Sequence, residues 1–230
     1  MRALAALATM LMLAAPSALA AGTPLAPEEL VRRFSSVAPG LVQPACRLEE
    51  RSCVEGLLRT ARDLDQEARS GMVVCRPVAD PVERAGCLKP YLTTTRGVDE
   101  VTTGLLKRIV ALHGWPGGPG WSADTGDIAW LLAQHADHDR PFQREALGLL
   151  RTAVDEGRAK AKDYALLSDR VALGEGKPQR YGTQGGCKDG TWRPAELEDP
   201  ARVDEFRTGM GLVPLAEYAD RFRDVCARLR

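Results

Sequence analysis

Histidine is scarce, net charge is nil and paired cysteine motifs are missing, and each shortage removes a class of function. The 230 residues carry 31 Lys and Arg against 31 Asp and Glu, a formal charge of zero. Binding to nucleic acid rests on counterion release from a clustered basic surface, which a balanced chain without a Lys- or Arg-rich run does not supply. The same lack argues against adsorption to an anionic membrane. No C-x-x-C pair occurs, which speaks against a cysteine-held zinc. The H-E-x-x-H zinc motif, the G-x-S-x-G nucleophile elbow and the G-x-x-x-x-G-K-[ST] phosphate loop are absent too. Hydrophobic residues make up 44%, ordinary for a globular protein and too many for a disordered one. The length fits one domain, or one domain with an extension.

What is present begins with a leader. Residues 1–20, MRALAALATMLMLAAPSALA, combine one positive charge, an apolar run and a small-residue end. Ala18-Leu19-Ala20 fits the A-x-A cleavage rule, so a signal peptide is expected to be removed and the mature chain to begin at Ala21, periplasmic or secreted. The run from Ala3 to Ala15 is short for a bilayer crossing, and Pro16 interrupts it. No later segment is apolar enough to span, so no membrane insertion is expected after cleavage. Loss of Arg2 leaves 30 basic residues against 31 acidic.

Cys46, Cys53, Cys75, Cys87, Cys187 and Cys226 all follow the leader. An even count behind an export signal reads as disulfides. Oxidation also removes cysteine as a nucleophile. Seven residues separate Cys46 from Cys53, which would put both on one helix face. A nested set, Cys46–Cys87 with Cys53–Cys75, suits an antiparallel helical hairpin, and Cys187–Cys226 would tie the tail.

Hydrophobic spacing predicts a mostly α fold: a helical, bundle-like domain with a loop or short β-hairpin near 181–193, preceded by a disulfide-bearing helical extension. The expected division is 1–20 leader, 21–98 extension and 99–230 main domain. Helices are expected over 27–37, 47–68, 82–91, 98–113, 122–136, 141–156, 160–173, 200–210 and 215–229. Pro27, Glu28 and Glu29 suit a first helical turn. Pro90 limits the 82–91 helix, and Ser122 or Asp124 is placed to cap the helix through Ala136. Trp115-Pro-Gly-Gly-Pro-Gly-Trp121 reads as a loop.

The three histidines, His113, His135 and His138, fall within 26 residues of one another. Any one of them is most simply a hydrogen-bonded structural residue. Three together suggest a shared site. Histidine titrates near neutrality, so His135 is the candidate acid–base residue, with Asp137 or Asp139 to orient it and His113 as a further catalytic candidate. A divalent metal held by His135 and His138, at i and i+3 of a helix, is the weaker alternative, and no cofactor is otherwise expected. Trp115, His138, Gln143, Asp169, Arg170, Tyr181, Thr183 and Gln184 offer a pocket wall, donors and acceptors for a substrate. Core packing is the simpler role for Trp130.

These segments form ordered words: His113-Gly114-Trp115-Pro116, Ala129-Trp130-Leu131-Leu132, Gln134-His135-Ala136-Asp137, Phe142-Gln143, Ser168-Asp169-Arg170-Val171, Gly176-Lys177-Pro178-Gln179 and Tyr181-Gly182-Thr183-Gln184. Glu198-Asp199-Pro200 and Gly211-Leu212-Val213-Pro214-Leu215 continue the series. In them the chain resembles the bacterial family known as domain of unknown function 6624, over roughly positions 99 to 220. The resemblance implies a mostly α-helical domain in which the histidine, tryptophan and YGTQ segments are the defining positions. It implies no reaction.

Two functions fit this reading. One is an exported enzyme that turns over a small molecule or peptide in a His135-centred pocket. The other is a non-catalytic ligand-binding or interaction module whose polar words lock the fold. Convergence of His113, His135 and Tyr181 in one open cleft would favour the enzyme.

Overall fold

The computed structural model describes residues 23–227; the expected leader and its cleavage point lie outside them. The order is α1 (Pro27–Val42), α2 (Arg51–Gly71), a 3-10 turn (Met72–Cys75), α3 (Pro81–His113), α4 (Thr125–Gln134), α5 (Arg140–Asp155), α6 (Ala161–Gly174), β1 (Gly185–Lys188), β2 (Thr191–Pro194), α7 (Val203–Gly209), α8 (Leu215–Asp220) and α9 (Arg223–Ala227). The fold is mostly α with one antiparallel hairpin, in which Gly185 pairs with Pro194 and Lys188 with Thr191.

One apolar core runs from Leu30 of α1 through Val54, Leu58 and Leu64 of α2, Leu105 and Ile109 of α3 and Ile128 and Leu132 of α4. It continues into Phe142 and Leu150 of α5 and Leu167 of α6. On each helix these residues recur at three- and four-residue steps, giving a face that is stable only when covered. The position between 98 and 99 falls inside α3, and residues on both sides of it enter this core.

Where two helices are expected, over 82–91, limited by Pro90, and over 98–113, there is one of 33 residues. Proline removes one internal hydrogen bond and crowds the preceding turn. Pro90 is exposed, so the freed carbonyl faces water, while Tyr91, Thr94 and Val98 beyond it are buried. Packing against α1 and α2 overrides the local penalty. The same happens in α1, which continues through Pro39 to Val42 rather than stopping at 37. Its last carbonyls are met by Arg108, whose Nη1 donates to Val42 O at 2.8 Å and whose Nη2 donates to Leu41 O.

Neither Ser122 nor Asp124 caps α4 through its side chain. Both are drawn to α2 instead. The Ser122 amide and hydroxyl donate to Glu55 at 2.6 and 2.7 Å, and Arg59 grips Asp124 with two bonds of 3.2 Å. The segment expected as one final helix is split into α8 and α9.

The disulfides are Cys46–Cys53, Cys75–Cys87 and Cys187–Cys226. The last is as expected; the nested pair is not. Cys46 lies in the irregular stretch before α2, so it shares no helix face with Cys53 and folds back onto it. Cys75 ends the turn after α2 and meets Cys87 across the short connection to α3. Three disulfides indicate an oxidising environment. No described helix is long and apolar enough to cross a membrane.

Candidate functional site

His135 follows the last residue of α4. Its Nδ1–H donates to Asp65 Oδ1 at 2.8 Å. Asp65 is a fully buried residue of α2 that also accepts from Arg69 Nη1 at 2.6 Å and Gln66 Nε2 at 2.8 Å. Arg69 then reaches Asp99 of α3 with Nη2 at 2.8 Å. Three helices thus build one cluster of two carboxylates, a guanidinium and an imidazole. Burial pulls the Asp65 carboxyl upward, but His135 and Arg69 beside it prevail and hold it below its ordinary value. Asp99 moves the other way, because burial outweighs the help it receives from Arg69.

Asp137 does not orient His135. Its Oδ1 accepts from Arg170 Nε at 2.8 Å, Arg140 Nη1 at 3.2 Å and Gln143 Nε2 at 3.1 Å, while Arg170 Nη2 holds Oδ2. A carboxylate gripped by a two-pronged guanidinium is already committed, so the orienting role falls to Asp65. Gln143 also donates to Ala133 O at 3.1 Å and Gln134 O at 3.3 Å, closing the end of α4. Asp139 caps α5 through the Phe142 amide and pairs with Lys107.

The supposed His135–His138 helix face does not exist. α4 stops at Gln134, and His138 is exposed in the turn that follows. The three potential metal ligands that do approach one another are Asp65, Asp99 and His135, with ligand atoms within 4.8 Å. Arg69 binds both of these carboxylates and supplies the positive charge a cation would bring.

His113 is held elsewhere: Nε2 donates to Leu48 O at 2.7 Å, and the ring meets Trp121 edge-on. Tyr181, Thr183 and Gln184 are buried in a third place. There Asp169 accepts from the amides of Arg180, Tyr181 and Thr183 and from the Thr183 hydroxyl, at 2.8 to 3.0 Å. Gly182, with φ of 63°, supplies the reversal that lets these amides turn inward. Gln179 closes the loop by accepting from the Gln184 amide and donating to its carbonyl. His113, His135 and Tyr181 share no partner among the described residues and line no common cleft, so the convergence that would favour an enzyme is not met, and that reading is left with the His135–Asp65 cluster alone.

Trp115 is buried and lines an open cleft of about 200 Å³ together with Asp163 of α6. Trp130 fixes that helix by donating from Nε1 to Asp163 O at 2.9 Å. Asp65, Arg69, Asp99 and Asp163 were not singled out from sequence. Asp65 had left a signal, since it interrupts the series Val54, Leu58, Ala61, Ala68, Met72 at a core position. Asp163 had not, because an acid in the first turn of a helix is ordinary.

A profile of the family of unknown function DUF6624 matches residues 63–228, more than half of the sequence. The chain belongs to that family. The match begins upstream of the motif words and takes in Cys75, Cys87, Asp65 and Asp99. DUF6624 carries no assigned activity, and no curated protein and no solved structure matches the chain.

Proposed function

We propose that this DUF6624 protein is an exported enzyme that acts on a small molecule or peptide by acid–base catalysis, with His135 as the proton-transfer group and Asp65 as its orienting carboxylate. One observation carries the reading. The imidazole is anchored through Nδ1 to a fully buried carboxylate, its side chain is 12% exposed, and Nε2 has no partner among the described residues. Anchoring Nδ1–H leaves the lone pair on Nε2, the atom that would take a proton from water or a substrate. Arg69 keeps Asp65 ionised and therefore able to stabilise the imidazolium formed in that step. Under this proposal residues 1–20 are a cleaved leader, which the disulfide usage supports; the mass of the mature protein should start from Ala21.

The second reading, a non-catalytic ligand-binding module, draws on a different observation. Asp137, Gln143, Asp169 and Thr183 spend their polar atoms on the chain itself.

Screening wild type and His135→Gln against ester, amide, peptide, glycoside and phosphoester panels tests the proposal. Glutamine retains an N–H for Asp65. Turnover in wild type that falls by about 100-fold or more in a variant of unchanged thermal stability is expected. Turnover untouched by the substitution, or none on any panel, favours the module.

A further inference from the structure

The cleft at the start of α4 lies at the opposite end of that helix from His135 and takes no part in the acid–base reading. Its walls come from the 115–123 loop, the first turn of α4, and the connection from α5 into α6. Two groups within it are unusual. Asp163 is only 7% exposed, and its carboxylate, which touches the open cleft, accepts no hydrogen bond and joins no ion pair among the described residues. Trp115 is only 2% exposed, and its Nε1–H also lacks an acceptor. An unpaired buried carboxylate and an unpaired buried donor each cost folding free energy. Both residues line the same opening, and the indole N–H lies just behind its wall.

The other polar groups of the cleft are already engaged. Lys160 pairs with Asp127 at 2.5 Å, while Arg158 donates to Trp115 O at 3.1 Å and pairs with Glu156. The unmet need is therefore for one positive donor and one acceptor. A phosphate or other polyanion would face the Asp163 charge and, among the described residues that line the cleft, find no free cation. Leu150 supplies an apolar side, and the volume suits a molecule of single amino-acid size.

We propose that this cleft binds a small primary amine carrying a hydrogen-bond acceptor on a neighbouring carbon, as in a free amino acid or the first residue of a peptide. Asp163 receives the ammonium group, and a small turn of the Trp115 ring brings its Nε1–H to the carboxylate or carbonyl oxygen. Burial, reinforced by Asp127 and opposed by Lys160 and Lys162, pushes the Asp163 carboxyl up to about 6. An ammonium ligand needs the ionised form, so binding weakens as pH falls through that value.

The test titrates the oxidised protein with L-alanine, L-alanyl-L-alanine and N-acetyl-L-alanine, following the Trp115 indole N–H resonance and the heat of binding. Saturable binding of alanine, the dipeptide or both is expected, with a shift of the Trp115 resonance. Preference between the two identifies a free amino acid or a peptide terminus. N-acetyl-alanine, which cannot form the ammonium, should not bind. Asp163→Asn should weaken binding about ten-fold or more, as should lowering the pH of the wild type below the Asp163 transition, and Trp115→Phe should weaken it by a smaller factor. The wild-type resonance keeps the test decisive even where a variant folds poorly. Equal binding of the acetylated compound, or no movement of the Trp115 resonance with any probe in the millimolar range, overturns the proposal.

Discussion

At the scale of single residues, the two buried aspartates of the candidate sites respond to acid in opposite directions. Asp163 has its carboxyl raised to about 6 from an ordinary 3.8, so the folded chain holds this proton more tightly than the unfolded one. Its protonated form favours the fold below the unfolded value, and that advantage is lost as pH rises through the folded one. Asp163→Asn should therefore raise stability by roughly 1–3 kcal/mol near pH 8 and give no such gain near pH 4; urea unfolding at the two pH values reads this directly. Asp65, held low by His135 and Arg69 against the pull of burial, contributes stability above the usual carboxylate range and loses it in acid. Sequence showed His135 clearly because histidine is rare here. Its partner stands 70 positions earlier in α2, and no local rule connects such a pair, so Asp137 two residues away looked the better orienter. Chemistry at that range is decided by helix packing.

At the scale of elements, Asp169 converts one helix side chain into the frame of a loop. It satisfies three amides and a hydroxyl inside the 180–183 segment. Removing an acceptor shared by several buried donors leaves each of them unmatched. Asp169→Ala should cost about 2–4 kcal/mol, with hydrogen exchange accelerated first at Tyr181 and Thr183. Asp169 of SDRV and the amides of YGTQ meet in this one network, and Gln179 of GKPQ closes the same loop. Helices α2, α5 and α6 were legible because apolar residues recur at helical spacing, and the hairpin because glycine and helix-poor residues cluster there. The continuity of α3 was not, since Pro90 is a strong local breaker and the packing that overrides it is remote. Pro90→Ala restores a missing amide on an exposed face and should stabilise the fold by roughly 1–3 kcal/mol, seen as a rise in Tm.

At the scale of the whole molecule, the C-terminal segments form a small second nucleus on the helical body. Trp192 of β2 stacks on Phe222 at 5.1 Å, with Tyr218 edge-on to both, and Cys187–Cys226 joins β1 to α9 beside them. That bridge spans 39 residues, the widest of the three. A loop of that length is worth up to about 4 kcal/mol in chain entropy. The double substitution Cys187→Ser, Cys226→Ser should destabilise by up to that amount, with early hydrogen exchange confined to the hairpin, α8 and α9 while α2 to α6 stay protected.

The connectivity of the bridges bears on how the protein is made. Each cysteine pairs with the next one along the chain: 46 with 53, 75 with 87, 187 with 226. A polypeptide emerging N-terminus first presents its thiols in the order in which they join. An oxidase that links each new cysteine to the one just before it therefore writes the native pattern at the first attempt. Nothing is left for a disulfide isomerase to correct, and maturation of this protein should proceed at an undiminished rate where that enzyme is lacking.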